Sequence, residues 1–285
     1  MRVLYPRAGR AHLVGITGPP GAGKSTLVAA LTRLARAVGR SVAVVAVDPS
    51  SPITGGALLG DRVRMEEHAG DRDVFIRSMA ARGHAGGLAP TSIAAATVLD
   101  AVGFDLVLME TVGTGQSEVE VAAAADTTVV LEAPESGDEV QAIKAGLLEV
   151  ADLVVVNKGD RPGAQRTASQ LRAMLVGGSA FREGRPGPRP KRPEVLITTA
   201  VTGEGVPELL AALDRHRAGL GDDPARRLAR AEAQMDAILT ARLQDRLRDP
   251  AHAGARRRVL AEVAAHRRDP YSAADELFDL ALGLE

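Results

Sequence analysis

The chain has 285 residues, enough for one large domain and an appendage; 45% are hydrophobic but only 2% aromatic, so a core must be built from Val, Leu, Ile and Ala. A net charge of −1 argues against a nucleic-acid or membrane-surface protein, and the lack of cysteine excludes disulfides, thiolate metal sites and a cysteine nucleophile. Apolar runs fall short of membrane-spanning length and the basic stretch Met1 to Ala11 lacks the apolar centre of a signal peptide, so a cytoplasmic location is expected.

His12 to Thr17 is a short apolar run that reads as a first strand. Next comes Gly18-Pro19-Pro20-Gly21-Ala22-Gly23-Lys24-Ser25-Thr26, in which Gly18, Gly23, Lys24 and Ser25 fit the G-x-x-x-x-G-K-[ST] phosphate loop. A triphosphate needs several backbone N–H groups turned inward, and only a side-chain-poor loop curls that tightly. The helix expected from Lys24 to Val38 adds its positive dipole end. Gly18, Gly21, Ala22, Gly23, Lys24, Ser25 and Thr26 are therefore expected to bind nucleotide, with Lys24 on the β and γ phosphates and the Ser25 hydroxyl on Mg²⁺.

A near-continuous Val/Ala run from Ser41 to Val47 reads as a strand buried on both faces and ends at Asp48. Further strands are expected over Val74 to Ala80, Phe104 to Met109, Thr127 to Leu131, Leu153 to Val156 and Val195 to Thr199. Helices are expected over Thr91 to Val102 and between the strands at Thr127 and Leu153. This alternation predicts a mostly parallel α/β sheet covered on both faces, with functional residues at the strands' carboxyl ends. Gly177 to Pro193 is rich in Gly, Pro and Arg and reads as a surface insertion. From Pro224 the pattern is helical only. Leu228, Met235, Ile238, Leu239, Leu243 and Leu247 form one stripe, a second helix carries Val259, Leu260 and Val263, and Ser272 with Asp275 reads as the start of a last helix. The expected division is a nucleotide-binding domain over 1–222 and a helical arm over 223–285.

Asn157-Lys158-Gly159-Asp160 is an N-K-x-D pattern after a buried strand. The Asp160 carboxylate can accept from guanine N1–H and the 2-amino group, which adenine cannot offer. Asn157 is expected to support the loop, the Lys158 stem to cover the base, and Thr199-Ala200 to donate to the guanine oxygen. Glu110 ends a strand where an acidic residue can organise Mg²⁺. Asp48 and Asp61 are the other metal candidates, and each also reads as an ordinary turn or helix-start carboxylate. Gly113 can give its N–H to the γ-phosphate. Thr114 stands where many such hydrolases place a water-orienting glutamine, and Gln116 is two residues on. Lys144 is either a transition-state charge or an ordinary surface lysine.

Gly18 to Thr26, Asp48 to Pro52, Leu59-Gly60-Asp61, Arg77 to Ala80, Glu110 to Glu118, Gly137-Asp138-Glu139 with Gln141 and Lys144, and Asn157 to Asp160 together resemble the MeaB/ArgK GTPases, chaperones of methylmalonyl-CoA mutase. The resemblance covers about 12–210 closely and the helical end more loosely. It implies a catalytic set of Lys24, Lys144 and Glu110, a metal set of Ser25, Asp48, Asp61 and Glu110, and switch segments at Gly113 to Glu118 and Glu135 to Lys144. It also implies GTP/GDP with Mg²⁺ as ligands, a homodimer built by the arm, and an adenosylcobalamin-dependent acyl-CoA mutase as partner. No D-x-H-x-x-G motif is present, so the corrin is expected on that partner. The alternative is an ArgK-like nucleotide-dependent kinase acting on a small molecule or transport protein. A nickel-delivery GTPase is disfavoured by the missing cysteines and scattered histidines.

Overall fold

Seven parallel strands in the order β3-β2-β4-β1-β5-β6-β7 form the frame of the chain, seen in a computed structural model that describes residues 1–48, 68, 70–80, 90–111, 117–134, 148–180, 193–221 and 223–283. The strands are β1 (His12–Thr17), β2 (Val42–Asp48), β3 (Val74–Ala80), β4 (Leu106–Glu110), β5 (Thr127–Glu132), β6 (Leu153–Val156) and β7 (Glu194–Ile197). Each lies where the apolar runs place it, within one or two residues. The chain folds into two compact units, Met1–Pro224 and Ala225–Glu285.

The sheet is covered on both faces, as its unbroken apolar strands require. α1 (Lys24–Ala37) and α5 (Val206–Leu220) bury Leu27, Leu31, Leu209 and Leu213 against Val14, Ile16, Leu108 and Leu131. α2 (Pro90–Ala101) and α3 (Ser117–Ala124) cover Val45, Val107 and Met109 on the other face, where α4 (Ala164–Ala180) covers Val130, Val154 and Val156. Alternate residues of one strand thus serve opposite layers. α4 runs through Gly177 and Gly178 to Ala180, beyond the expected start of the insertion. Two glycines cost a helix about 1 kcal/mol each, and fifteen-odd neighbouring residues outweigh that. Residues 181–192, the rest of the insertion, lie outside the described residues.

Carboxylates clip the amino edge of the sheet. Asp105, Asp126 and Asp152 each stand one residue ahead of a strand and accept from the backbone of the strand alongside: Ser41 N–H at 2.8 Å, Leu13 N–H at 2.9 Å and Thr128 N–H at 2.9 Å. The three N–H groups of Gly9, Arg10 and Ala11 likewise converge on Asp100 of α2 at 2.5, 3.0 and 2.8 Å. Between β1, β5 and α5 runs a polar chain. His12 Nε2 lies 2.7 Å from Thr127 Oγ1, Thr127 Oγ1 lies 2.8 Å from His216 Nδ1, and His216 Nε2 lies 3.4 Å from Asp152. His12 is 2% exposed, and burial pushes its pKa down to about 4, against a partial upward pull from Asp126.

The second unit consists of α6 (Pro224–Leu247), α7 (Ala253–Ala264) and α8 (Pro270–Leu282). α6 buries none of its residues; Leu228 and Met235 of the expected stripe are 71% and 57% exposed. The last helix is capped by Asp269, not by Ser272. The Asp269 carboxylate accepts from Tyr271 and Ser272 N–H, with Pro270 at the first helical position. Ser272 is already inside the first turn, where it donates its hydroxyl to Asp269. No helix among the described residues is long and apolar enough to cross a membrane.

Candidate functional site

The carboxyl ends of β1, β4, β5 and β6 bring together residues from four separate stretches of sequence. β1 leads into the loop 18–23, and α1 starts at Lys24 with Gly23 as N-cap at φ 91°. That cap has no side chain to offer the first-turn N–H groups, which leaves them for an anion. Gly18 has φ 141°, and a Cβ on it would lie 2.2 Å from the Leu131 carbonyl oxygen. A Cβ on Gly23 would lie 2.5 Å from Asn157 Nδ2. Both glycines are thus required by close approach as well as by φ. Gly21 shares the loop and Ala22 is buried.

Lys24 is 8% exposed and its Nζ donates to the carbonyls of Gly18 and Pro19, at 2.8 and 3.0 Å. The ammonium is therefore held over the mouth of the loop. Ser25 Oγ donates to Glu110 Oε1 at 2.7 Å, so the second residue of α1 and the last residue of β4 meet. Thr26 follows, half-buried, in the same turn. Just behind, Thr111 Oγ1 donates to Thr17 Oγ1 at 3.1 Å, which ties the ends of β4 and β1. A hydroxyl and a carboxylate in contact are hard oxygen donors suited to Mg²⁺, so this pair fits the metal expected there. Asp48 ends β2 in register with Ala80, and its side chain is outside the described residues. Asp61, Gly113, Thr114, Gln116 and Lys144 are also outside the described residues.

Asn157 is the joint between the two loops. Its Nδ2 donates to the Ala22 carbonyl at 2.9 Å, and its Oδ1 accepts from Thr198 Oγ1 and from Ala200 N–H, both at 3.1 Å. One 3%-exposed amide thus binds the phosphate loop and the loop after β7. Lys158 takes φ 59°, a left-handed value rare for a residue with a Cβ, and Gly159 N–H donates to Thr198 O at 2.9 Å. The turn leaves Asp160 exposed, one residue after Gly159, which packs against Thr198 and Thr199. Thr199 and Glu204 close the neighbouring loop through an antiparallel bridge.

Several participants are not visible in a motif. The Leu131 carbonyl against Gly18 acts through backbone, and Thr198 acts through a partner 41 residues away. Glu132 is a buried carboxylate at the end of β5 whose carbonyl accepts Asn157 N–H at 2.9 Å. Its position, closing an apolar strand as Glu110 does, was the signal available in sequence.

Comparison with known proteins bears on this site. The family model described as "Methylmalonyl Co-A mutase-associated GTPase MeaB" matches residues 1–254. A Pyrococcus abyssi protein is 44% identical over 287 residues, spanning 99% of this chain and 87% of that protein. The GTPase ArgK of Escherichia coli is 41% identical over 210 residues, 74% of this chain and 62% of that one. The crystal structure of a LAO/AO transport system kinase superposes with a TM-score of 0.68 at 26% identity, covering 98% of this chain and 84% of the other.

Proposed function

The chain belongs to the MeaB family of methylmalonyl-CoA mutase-associated GTPases, and on that premise we propose that it is a Mg²⁺-dependent GTP hydrolase that acts as chaperone to an adenosylcobalamin-dependent acyl-CoA mutase, gating its cofactor loading. The observation that carries this reading is the Asn157 joint, which sets a phosphate loop and a guanine-type turn into one site. In it, Lys24 and the first turn of α1 hold the β and γ phosphates, and Ser25 and Glu110 hold the metal, with Asp48 and Asp61 as further ligands. When bound, Mg²⁺ supplies charge neutralisation on the phosphate oxygens. Gly113 N–H holds the γ-phosphate. Asp160 accepts from guanine N1–H and the 2-amino group; Thr199 and Ala200, expected to donate to the base oxygen, instead give their N–H groups to Glu204 O and Asn157 Oδ1, and so shape the loop beside the base.

Thr114 in place of a glutamine makes slow basal turnover the expected state. A partner that orders the segments at 113–118 and 135–144, and brings Lys144 to the γ-phosphate, accelerates it. The exposed α6 stripe supports a homodimer formed by the helical unit. The proposed site of action is the cytoplasm.

GTP hydrolysis measured with and without such a mutase tests the reading. We expect stimulation by the mutase, lost in Lys144→Ala. Asp160→Asn should lower GTP affinity about tenfold or more and favour xanthosine triphosphate, because it turns an acceptor into a donor. Equal use of ATP and GTP, or phosphoryl transfer to an acceptor in place of water, would instead favour the kinase reading suggested by the LAO/AO transport system kinase likeness.

A further inference from the structure

Six arginines near the junctions of the helical unit fall into two groups. Arg246 donates to the Ala281 carbonyl at 3.0 Å, and Arg258 and Arg268 both bond the Glu276 carboxylate. Those three hold the helices together. Arg248, Arg256 and Arg257 make no ion pair or side-chain hydrogen bond among the described residues. All three instead line one cleft of about 280 Å³, in the corner where α6 ends and α7 begins.

The helical spacing explains how they meet. Ala253, Arg256, Arg257 and Leu260 recur at i, i+3, i+4 and i+7, which puts them on one face of α7. Val259, one position round, is 1% exposed and faces the interior of the unit, whereas Leu260 is 54% exposed. The arginine face therefore looks away from the helices that α7 packs against. Leu247, the last residue of α6, lines the same cleft as Leu260 and Ala253. One carboxylate, Asp249, is also present, and its Oδ1 is engaged in capping the turn Pro250–His252 through Ala251 N–H at 2.9 Å. Three arginines and one engaged carboxylate thus line the same cleft as two leucines.

We propose that this cleft is a second anion site, separate from the phosphate loop, for a small phosphate ester that carries an apolar group. Guanidinium forks match phosphate oxygens in pairs, and the two leucines cover the ester's apolar part. The volume of about 280 Å³ is just below the roughly 300 Å³ at which ligand sites commonly begin, and so favours a compact monoester over a dinucleotide. The site lies wholly within the helical unit, and the proposal does not depend on the mutase reading.

The test uses the full-length protein with GDP and Mg²⁺ saturating the phosphate loop. Phenyl phosphate is titrated while arginine side-chain N–H resonances are followed by NMR, with benzoate and inorganic phosphate as parallel probes. We expect saturable shifts at Arg248, Arg256 and Arg257. The double variant Arg256→Gln/Arg257→Gln should weaken phenyl phosphate about tenfold or more while GTP turnover is retained, the latter showing that the chain is folded. Arg242→Gln, an exposed arginine of α6, should bind as the parent does. Three outcomes would overturn the site. Absence of saturable shifts means exposed arginines in solvent. Equal loss in Arg242→Gln means diffuse charge. Benzoate binding as tightly as phenyl phosphate means a carboxylate surface, such as one for an acidic protein segment.

Discussion

The two edges of the sheet are built from different material. At the amino edge, Asp105, Asp126 and Asp152 reach across from one strand to the next, and His12, Thr127 and His216 form a buried polar chain. At the carboxyl edge the decisive contacts are close approaches to glycines: the Leu131 carbonyl against Gly18, and the Asn157 side-chain amide, bonded to the Ala22 carbonyl, against Gly23. The amino edge therefore has interactions that can be removed one at a time. The carboxyl edge adds to its side-chain bonds, such as Ser25 to Glu110 and Asn157 to Ala22, a second vulnerability: room that can be filled. Changes at the amino edge should therefore cost stability alone, and changes at the carboxyl edge ligand binding as well.

The largest effect is expected at the crowded edge. Gly18→Ala puts a methyl group 2.2 Å from a backbone oxygen at a φ of 141°, and neither atom can yield without moving β1 or β5. We expect nucleotide binding to fall below detection in a fluorescent-GDP assay and unfolding free energy to drop by more than ~2 kcal/mol. A variant with parental affinity would show that the phosphate loop is not set by this packing.

The next effect belongs to the amino edge and appears with pH. His12 is held neutral by burial, with a folded pKa of about 4 against 6.5 when exposed. Between those values the unfolded chain binds more protons, so stability rises with pH. The contribution is complete above pH 6.5 and lost as pH falls through 6.5 toward 4, on the order of 3 kcal/mol in all. Urea unfolding at pH 7, 5.5 and 4.5 measures it, and His12→Gln should flatten the slope. An unchanged slope in that variant would assign the acid sensitivity to other groups.

The smallest effect sharpens the comparison. Asp126→Ala removes the acceptor for Leu13 N–H and should cost about 1–2 kcal/mol of stability while leaving GDP affinity within about twofold. Because Asp126 pulls the His12 pKa upward, the same change should move that histidine further down, readable by NMR titration. A large loss of GDP affinity would mean that the two edges are mechanically coupled after all.

What sequence reveals follows the same division. All seven strands were legible because a strand buried on both faces is a run of apolar residues, visible without any partner. The phosphate loop was legible because its chemistry is local, from Gly18 to Ser25. The work of Asn157 was legible only in part: its place in N-K-x-D marks a base loop, but its bonds to Ala22 and Thr198 join positions 135 and 41 residues distant. Helix ends were the weakest reading. Asp269 and Ser272 are both good caps, and Pro270 decides between them by fitting only the first helical position. The Gly177-Gly178 pair looked like a stop because propensity is a local quantity, whereas α4 is held by its buried face against β6 and β7.

The aspartate clips also govern where this chain can change length over evolutionary time. An extra residue between Asp152 and β6 would shift the carboxylate by about 3.3 Å and turn alternate side chains to the wrong face. Insertions at the starts of β4, β5 and β6 are therefore penalised twice. β7 starts after Pro193, with no carboxylate in the corresponding position, and it lies at the sheet's rim with one neighbour only. The Arg-, Pro- and Gly-rich residues 181–192 come immediately ahead of that strand. Length variation is thus best tolerated at the one start on this side of the sheet where, among the described residues, no aspartate ties the strand to its neighbour, Glu194 pairing with Arg215 of α5 instead.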